Sequence, residues 1–202
     1  MNTTYTEARP KMRSGDVVIW SGVGPVAQVI KWRTGSKWTH ASLIVRIVET
    51  GVDRVFITEA IPAGLVFFPL SRRLRDFKGT AAWLPLVEDL TAHRDGARRW
   101  ALDRIGRPYD FESLLQQLFR RVSANARALF CSELVFLALR DGGRVPGLQV
   151  YDVAPWPAEL PRLGLFTREV KILTAKDLKD PRQRPRPKAP GPSTIDRGRG
   201  SP

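Results

Sequence analysis

The sequence predicts an α+β fold in which an antiparallel sheet packs against helices. Three observations carry that reading. Apolar, β-branched runs bounded by turn residues crowd the first half of the chain, helical spacing dominates the second half, and one more apolar run closes the folded region. A chain of 202 residues and 22.7 kDa with 43% hydrophobic residues suffices for one domain with a real core plus additional sequence. It excludes a wholly disordered chain.

The elements follow in order. Residues 1–13 read as a flexible leader. Ser14-Gly15-Asp16 is a turn signal before a short strand, Val17-Val18-Ile19-Trp20. Ser21 to Pro25 breaks it, and Val26, Val29, Ile30 and Arg33 have the spacing of a short helix that stops at Thr34-Gly35-Ser36. Two strands are expected over 39–48 and 55–60, joined by a hairpin through Glu49 to Arg54, with further strands over 64–69 and 81–86. A helix is expected over 90–105, a turn at Pro108 to Phe111, a second helix near 112–121 and an apolar helix over 128–140 that closes at Gly142-Gly143. The proline-studded stretch from Val145 to Pro161 reads as an ordered loop, and 166–173 as a last strand. The composition then turns to Pro, Arg, Lys, Gly and Ser, so 176–202 is expected as a disordered tail and 14–175 as the folded domain.

Composition narrows the function classes. The single cysteine excludes an intramolecular disulfide and a four-cysteine zinc site, and fits a reducing compartment. No signal-peptide core and no run of about 18 apolar residues is present. No integral membrane segment is therefore expected, and the default location is the cytoplasm, with export by an unmarked route left open. Net charge is +13. The segment from Lys176 carries eight Lys/Arg against three Asp/Glu, net +5, which leaves +8 on the remainder. The domain itself is basic. Such a surface suits an anionic surface or polymer such as nucleic acid, acidic lipid headgroups or a wall polymer, and equally a solvated face with no specific partner.

Catalysis by a cysteine needs a thiolate, a base beside it and a group that orients the base. Cys131 falls near the start of the predicted 128–140 helix, where free N–H groups and the helix dipole favour a thiolate and an oxyanion. It also shares an i, i+3, i+4, i+7 stripe with Leu134, Val135 and Ala138, the pattern of an inert core cysteine. Of two histidines, His93 lies in a polar helix start and is expected to be solvated, whereas His40 opens an apolar strand. Glu59 interrupts the neighbouring apolar strand, where a buried carboxylate needs a partner. A hairpin turn centred between Glu49 and Thr50 places His40 opposite Glu59 on one face.

In order along the chain, Gly15-Asp16-Val17-Val18, Thr39-His40-Ala41-Ser42-Leu43-Ile44-Val45, Thr58-Glu59-Ala60, Gly106-Arg107-Pro108-Tyr109-Asp110-Phe111 and Phe130-Cys131-Ser132-Glu133-Leu134-Val135 resemble the circularly permuted NlpC-type papain-like cysteine hydrolases, the YiiX-like group in particular. The matching stretches span about Ser14 to Pro157. The resemblance implies a permuted papain-like fold with the nucleophile at a helix N-terminus. By position, Cys131 matches the nucleophile, His40 the base and Glu59 the third polar residue. Tyr109 would line the substrate site or, equally, lid the core. Glu133 matches a family-like position that the helix dipole also explains, and Ser132 would cap the helix. A glycine often follows the histidine in such sequences; Ala41-Ser42 stands here and implies a narrower cleft.

The expected activity is therefore cleavage of a peptide or other amide, such as a cell-wall stem peptide, through a thioester, with no cofactor and no metal. Two alternatives stay open. A lipid acyltransferase or phospholipase of the lecithin:retinol acyltransferase type shares the His-before-Cys order, although Phe130 stands where that group has an asparagine. A non-catalytic module would bind a polyanion or wall fragment through the basic surface and tail.

Overall fold

The structure is a computed structural model that describes residues 2–61, 64–106, 126–151, 153–174 and 177. The fold is α+β, built on one seven-stranded sheet of order β1-β7-β6-β2-β3-β4-β5. The strands are β1 (Asn2–Thr3), β2 (Val17–Ser21), β3 (His40–Glu49), β4 (Val52–Ile61), β5 (Gly64–Pro69), β6 (Thr80–Leu84) and β7 (Val170–Ile172). The helices are α1 (Tyr5–Ala8), α2 (Pro25–Thr34), α3 (Leu70–Asp76), α4 (Arg94–Leu102) and α5 (Ala126–Leu137). Pairing is antiparallel throughout except for β1 beside β7.

The central strand explains the layering. β2 is buried along its whole length because β3 and β6 flank it and both faces are covered, which is why it reads as an unbroken apolar run. Alternate residues enter two different cores. Val17 and Ile19 join Ala41, Leu43 and Leu84 under Val135, Phe136 and Leu139 of the α5 region and Ala97 and Ala101 of α4. Val18 and Trp20 join Ile44, Ile57, Leu70 and Leu74, with Ala8 and Met12 of the N-terminal segment.

Several expectations are corrected. Residues 2–12 are not a flexible leader: β1 pairs with β7, and Thr4 with Glu7 forms a reciprocal capping box on α1. Met12 is fully buried. Two apolar anchors, Ala8 and Met12, hold a segment too polar to announce a core. The helix expected from residue 90 starts later, because Glu88–His93 forms a 3-10 turn before α4. The fourth strand ends at Leu84, ahead of Pro85, which has no N–H to give the ladder. The last strand shrinks to Val170–Ile172, with Phe166 held by a single bridge to Leu86. The end of the cysteine helix continues as a π turn over Ala138–Gly142, where the Gly143 N–H donates to the Ala138 carbonyl at 2.8 Å. The expected 112–121 helix and, of the expected tail, residues 176 and 178–202 lie outside the described residues.

One buried ion pair pins the start of β2. The Asp16 carboxylate accepts from Arg94 Nη1 at 2.6 Å, Trp83 Nε1 at 2.9 Å, the Leu86 N–H at 3.0 Å and the Arg13 N–H at 2.9 Å. It thereby ties β2, β6 and α4 together. Removing one partner of a buried pair strands the other charge. Asp16→Ala is expected to cost about 3–5 kcal/mol, read as a lowered midpoint in urea denaturation; a loss within about 0.5 kcal/mol would show the network to be dispensable.

Candidate active site

The β3–β4 hairpin sets the site. Its two-residue turn is Thr50-Gly51, between the paired Glu49 and Val52. Both central residues have positive φ, 39° and 83°, as the hairpin turn that matches strand twist requires. The turn is thus centred one residue later than expected. Leu43 pairs with Thr58, and continuing that register sets Glu59 opposite Ser42 rather than His40. The expected direct opposition is corrected, yet the contact survives. Moving the partner by two positions preserves the face, and a diagonal neighbour remains within reach of long side chains. His40 Nε2 lies 3.3 Å from Glu59 Oε1, at ion-pair distance but off the axis of a linear hydrogen bond.

Glu59 is fully enclosed and carries most of the local electrostatics. Its Oε1 accepts from Ser42 Oγ at 2.7 Å and from Arg73 Nε of α3 at 3.2 Å. Ser42 Oγ in turn accepts from Trp20 Nε1 at 2.7 Å, and the Arg73 guanidinium lies 5.5 Å from the centroids of both the Trp20 and Phe77 rings. Burial pushes the Glu59 carboxyl upward, but the His40 charge, Arg73 and Ser42 outweigh it and hold the pKa down at about 2. Burial likewise pulls the His40 imidazole downward. Its attraction and hydrogen bond to the Cys131 side chain, then to Glu59, outweigh that and push it up to about 10.

Cys131 is fully buried, and so are Leu134, Val135 and Ala138 of its stripe. Burial has not separated it from His40, whose ring its side chain meets. Strand β3 and helix α5 thus bring together the two predicted partners, and β4 supplies the third. The expectation of a nucleophile at a helix N-terminus is corrected: α5 already runs from Ala126, so Cys131 is its sixth residue. Ala126-Arg127-Ala128-Leu129 are strong helix formers without a breaker. The Cys131 N–H therefore belongs to the helical ladder and is not one of the free first-turn donors, which removes it as an oxyanion donor. Ser132 is buried within the helix instead of capping it. Glu133, also past the first turn, loses its dipole explanation; burial pushes its carboxyl up to about 7 against the downward pull of Arg140.

Tyr109 lies outside the described residues. His93, expected in solvent, places Nδ1 2.7 Å from the Gly143 carbonyl, to which it must donate. The Ala41-Ser42 pair does not narrow a cleft: Ala41 packs in the α5 core and Ser42 is spent on Glu59. Among the described residues no group of three or more His, Cys, Asp or Glu is arranged to hold a metal ion. Ser42, Trp20 and Arg73 are the site residues that sequence reasoning missed. Ser42 carried a usable signal, since a serine inside the same apolar strand as His40 also needs a partner. Arg73, one of several arginines on a short helix, carried none.

The ion pair makes a titration prediction. His40 has its folded-state pKa raised, so its stabilising share is fully present below the ordinary value of 6.5 and is lost as pH rises through about 10. Glu59 is lowered, so its share is present above its ordinary 4.5 and is lost as pH falls through about 2. Glu59→Gln removes one source of the upward pull and is expected to move the His40 midpoint down toward 6.5. With two histidines in the chain, imidazole NMR resolves this directly; an unmoved midpoint would refute the coupling.

No family model matches the chain, and no curated protein matches it. Among solved structures it is similar to the crystal structure of metalloprotein yiiX from Escherichia coli O157:H7, DUF1105, with 15% identity and a TM-score of 0.48, over 83% of this chain and 92% of that one.

Proposed function

We propose that the protein is a cysteine-nucleophile hydrolase on a permuted papain-like scaffold, cleaving an amide bond of a peptide such as a cell-wall stem peptide. The observation that carries this reading is the meeting of Cys131 with His40, itself paired to the buried Glu59. Three chemically matched side chains from three elements share one cluster, although 91 residues separate the histidine from the cysteine in the sequence.

The mechanism follows from the pairing. Because Nε2 faces Glu59, Nδ1 is assigned the proton transfer. With its pKa pushed up to about 10, His40 already holds the proton taken from the thiol when the Cys131 sulfur attacks the carbonyl carbon. The tetrahedral species collapses, the C–N bond breaks, and the imidazolium gives its proton to the leaving amine. Water, deprotonated by His40, then attacks the thioester. The C–S bond breaks, releasing a carboxylic acid and restoring the thiol. Glu59 fixes the ring and favours its charged form.

A second reading is a non-catalytic module that binds a polyanion through its basic surface. The complete burial of Cys131 and the net charge of +13 favour it. Alkylation separates the two. Iodoacetamide is expected to label Cys131 at neutral pH, and His40→Ala to slow labelling about tenfold or more. Equally slow labelling of both proteins favours the binding module. On a peptide amide substrate, His40→Ala is expected to lower kcat by about 10²–10⁴-fold and Cys131→Ala to abolish turnover, measured by amine release. Release from esters alone would move the assignment to the acyltransferase type.

A further inference from the structure

One face of α2 is exposed among the described residues. Ala27, Ile30, Lys31 and Thr34 form its inner side: Ile30 is buried, Thr34 Oγ1 donates to the Ile30 carbonyl at 2.8 Å, and Lys31 Nζ reaches in to the Gly22 carbonyl at 2.7 Å. The outer side carries Val26, Val29 and Trp32, all exposed, with exposed Val23 just ahead of the helix. Trp32 is 82% exposed. At 100° per residue these three helical positions fall on one arc, so the exposure is a ridge rather than scattered residues. A ridge of this kind on a protein surface marks an interaction site.

Its charge surroundings select the partner. Arg33 stands on the same side of the helix and lines a cleft of about 490 Å³ whose other wall includes Trp156 and Arg162. Glu159 also lines it, with Oε2 already accepting from the Trp156 N–H at 2.7 Å. Lys37 is partly engaged, 3.8 Å from Glu169. Among the described residues neither Arg33 nor Arg162 is held in an ion pair. Aromatic and aliphatic side chains bordered by arginine are the composition of a surface that lies in the boundary layer of a bilayer. A chain with net charge +13 adds attraction to acidic headgroups. Nucleic acid would be served by the charge and leaves the valines and Trp32 without use.

We propose that α2 is a peripheral docking helix for anionic phospholipid bilayers, its Val26-Val29-Trp32 ridge entering the headgroup boundary while Arg33 and Arg162 take lipid phosphate. Such docking lies in the membrane plane and is compatible with the finding that no described helix is long and apolar enough to cross a membrane. It holds whether or not Cys131 is catalytic. The helix is joined through residues 35–39 to β3, whose first residue is His40.

The test is co-sedimentation of the full chain with vesicles of phosphatidylcholine alone and of phosphatidylcholine containing phosphatidylglycerol. The wild type is expected to bind the anionic vesicles, and the triple variant V26S/V29S/W32A to lose about tenfold or more in affinity. The variant should keep its far-UV spectrum and its retention on heparin, since the replaced side chains are exposed. R33Q/R162Q is expected to weaken binding to anionic vesicles while leaving the ridge intact. Three outcomes would overturn the proposal. The wild type fails to bind; or wild type and triple variant bind equally, which is plain adsorption by the basic surface; or the wild type self-associates in solution and the triple variant does not, which makes the ridge a contact between copies.

Discussion

The arrangement at the candidate site is governed by one carboxylate taken out of water. A buried, ionised Glu59 is tolerable only with several donors and cations around it, and its neighbours are accounted for by that need. Ser42 donates from the facing strand, Trp20 supports Ser42 from the strand beyond, Arg73 reaches over from α3, and His40 completes the shell. Of these partners His40 is the one whose pKa is moved furthest by the cluster, up to about 10. The cluster therefore stabilises charge on one imidazole, and the Cys131 sulfur lies beside that ring.

The contrast with Asp16 sharpens the point. Both carboxylates are buried in the sheet region; Asp16 collects four polar partners and Glu59 three. Asp16 spends its charge on Arg94 and on the N–H donors of Arg13, Trp83 and Leu86. It fixes where elements meet. The Gly15-Asp16 motif thus has a complete architectural explanation, whereas the histidine and glutamate motifs have an electrostatic one.

Much of this was legible in the sequence, for identifiable reasons. β2 through β5 are apolar runs separated by glycine or proline, so local pattern was enough to place them. His40 and Glu59 stood out because each breaks such a run. Their relation was judged from a turn centred one residue early, since Thr50 gives no sign that it adopts φ 39° ahead of Gly51; the alternation of side chains absorbed the error. The helix start before Cys131 was misplaced because alanine and arginine carry no stop signal. The N-terminal segment was misread for a different reason. Its stability comes from Met12 and Ala8 docking on Trp20 and Ile44, a long-range contact that no local pattern encodes, although the Thr4-to-Glu7 cap was visible.

The position of β7 has a consequence for assembly. It lies between β6 and β1, so the Thr3 carbonyl receives the Leu173 N–H at 2.8 Å. β1 can find its neighbour only after some 170 further residues have followed it. Until then the α1 segment and the exposed edge of β6 wait without cover, and closure of that side is a late step that joins the two ends of the folded region in a single event.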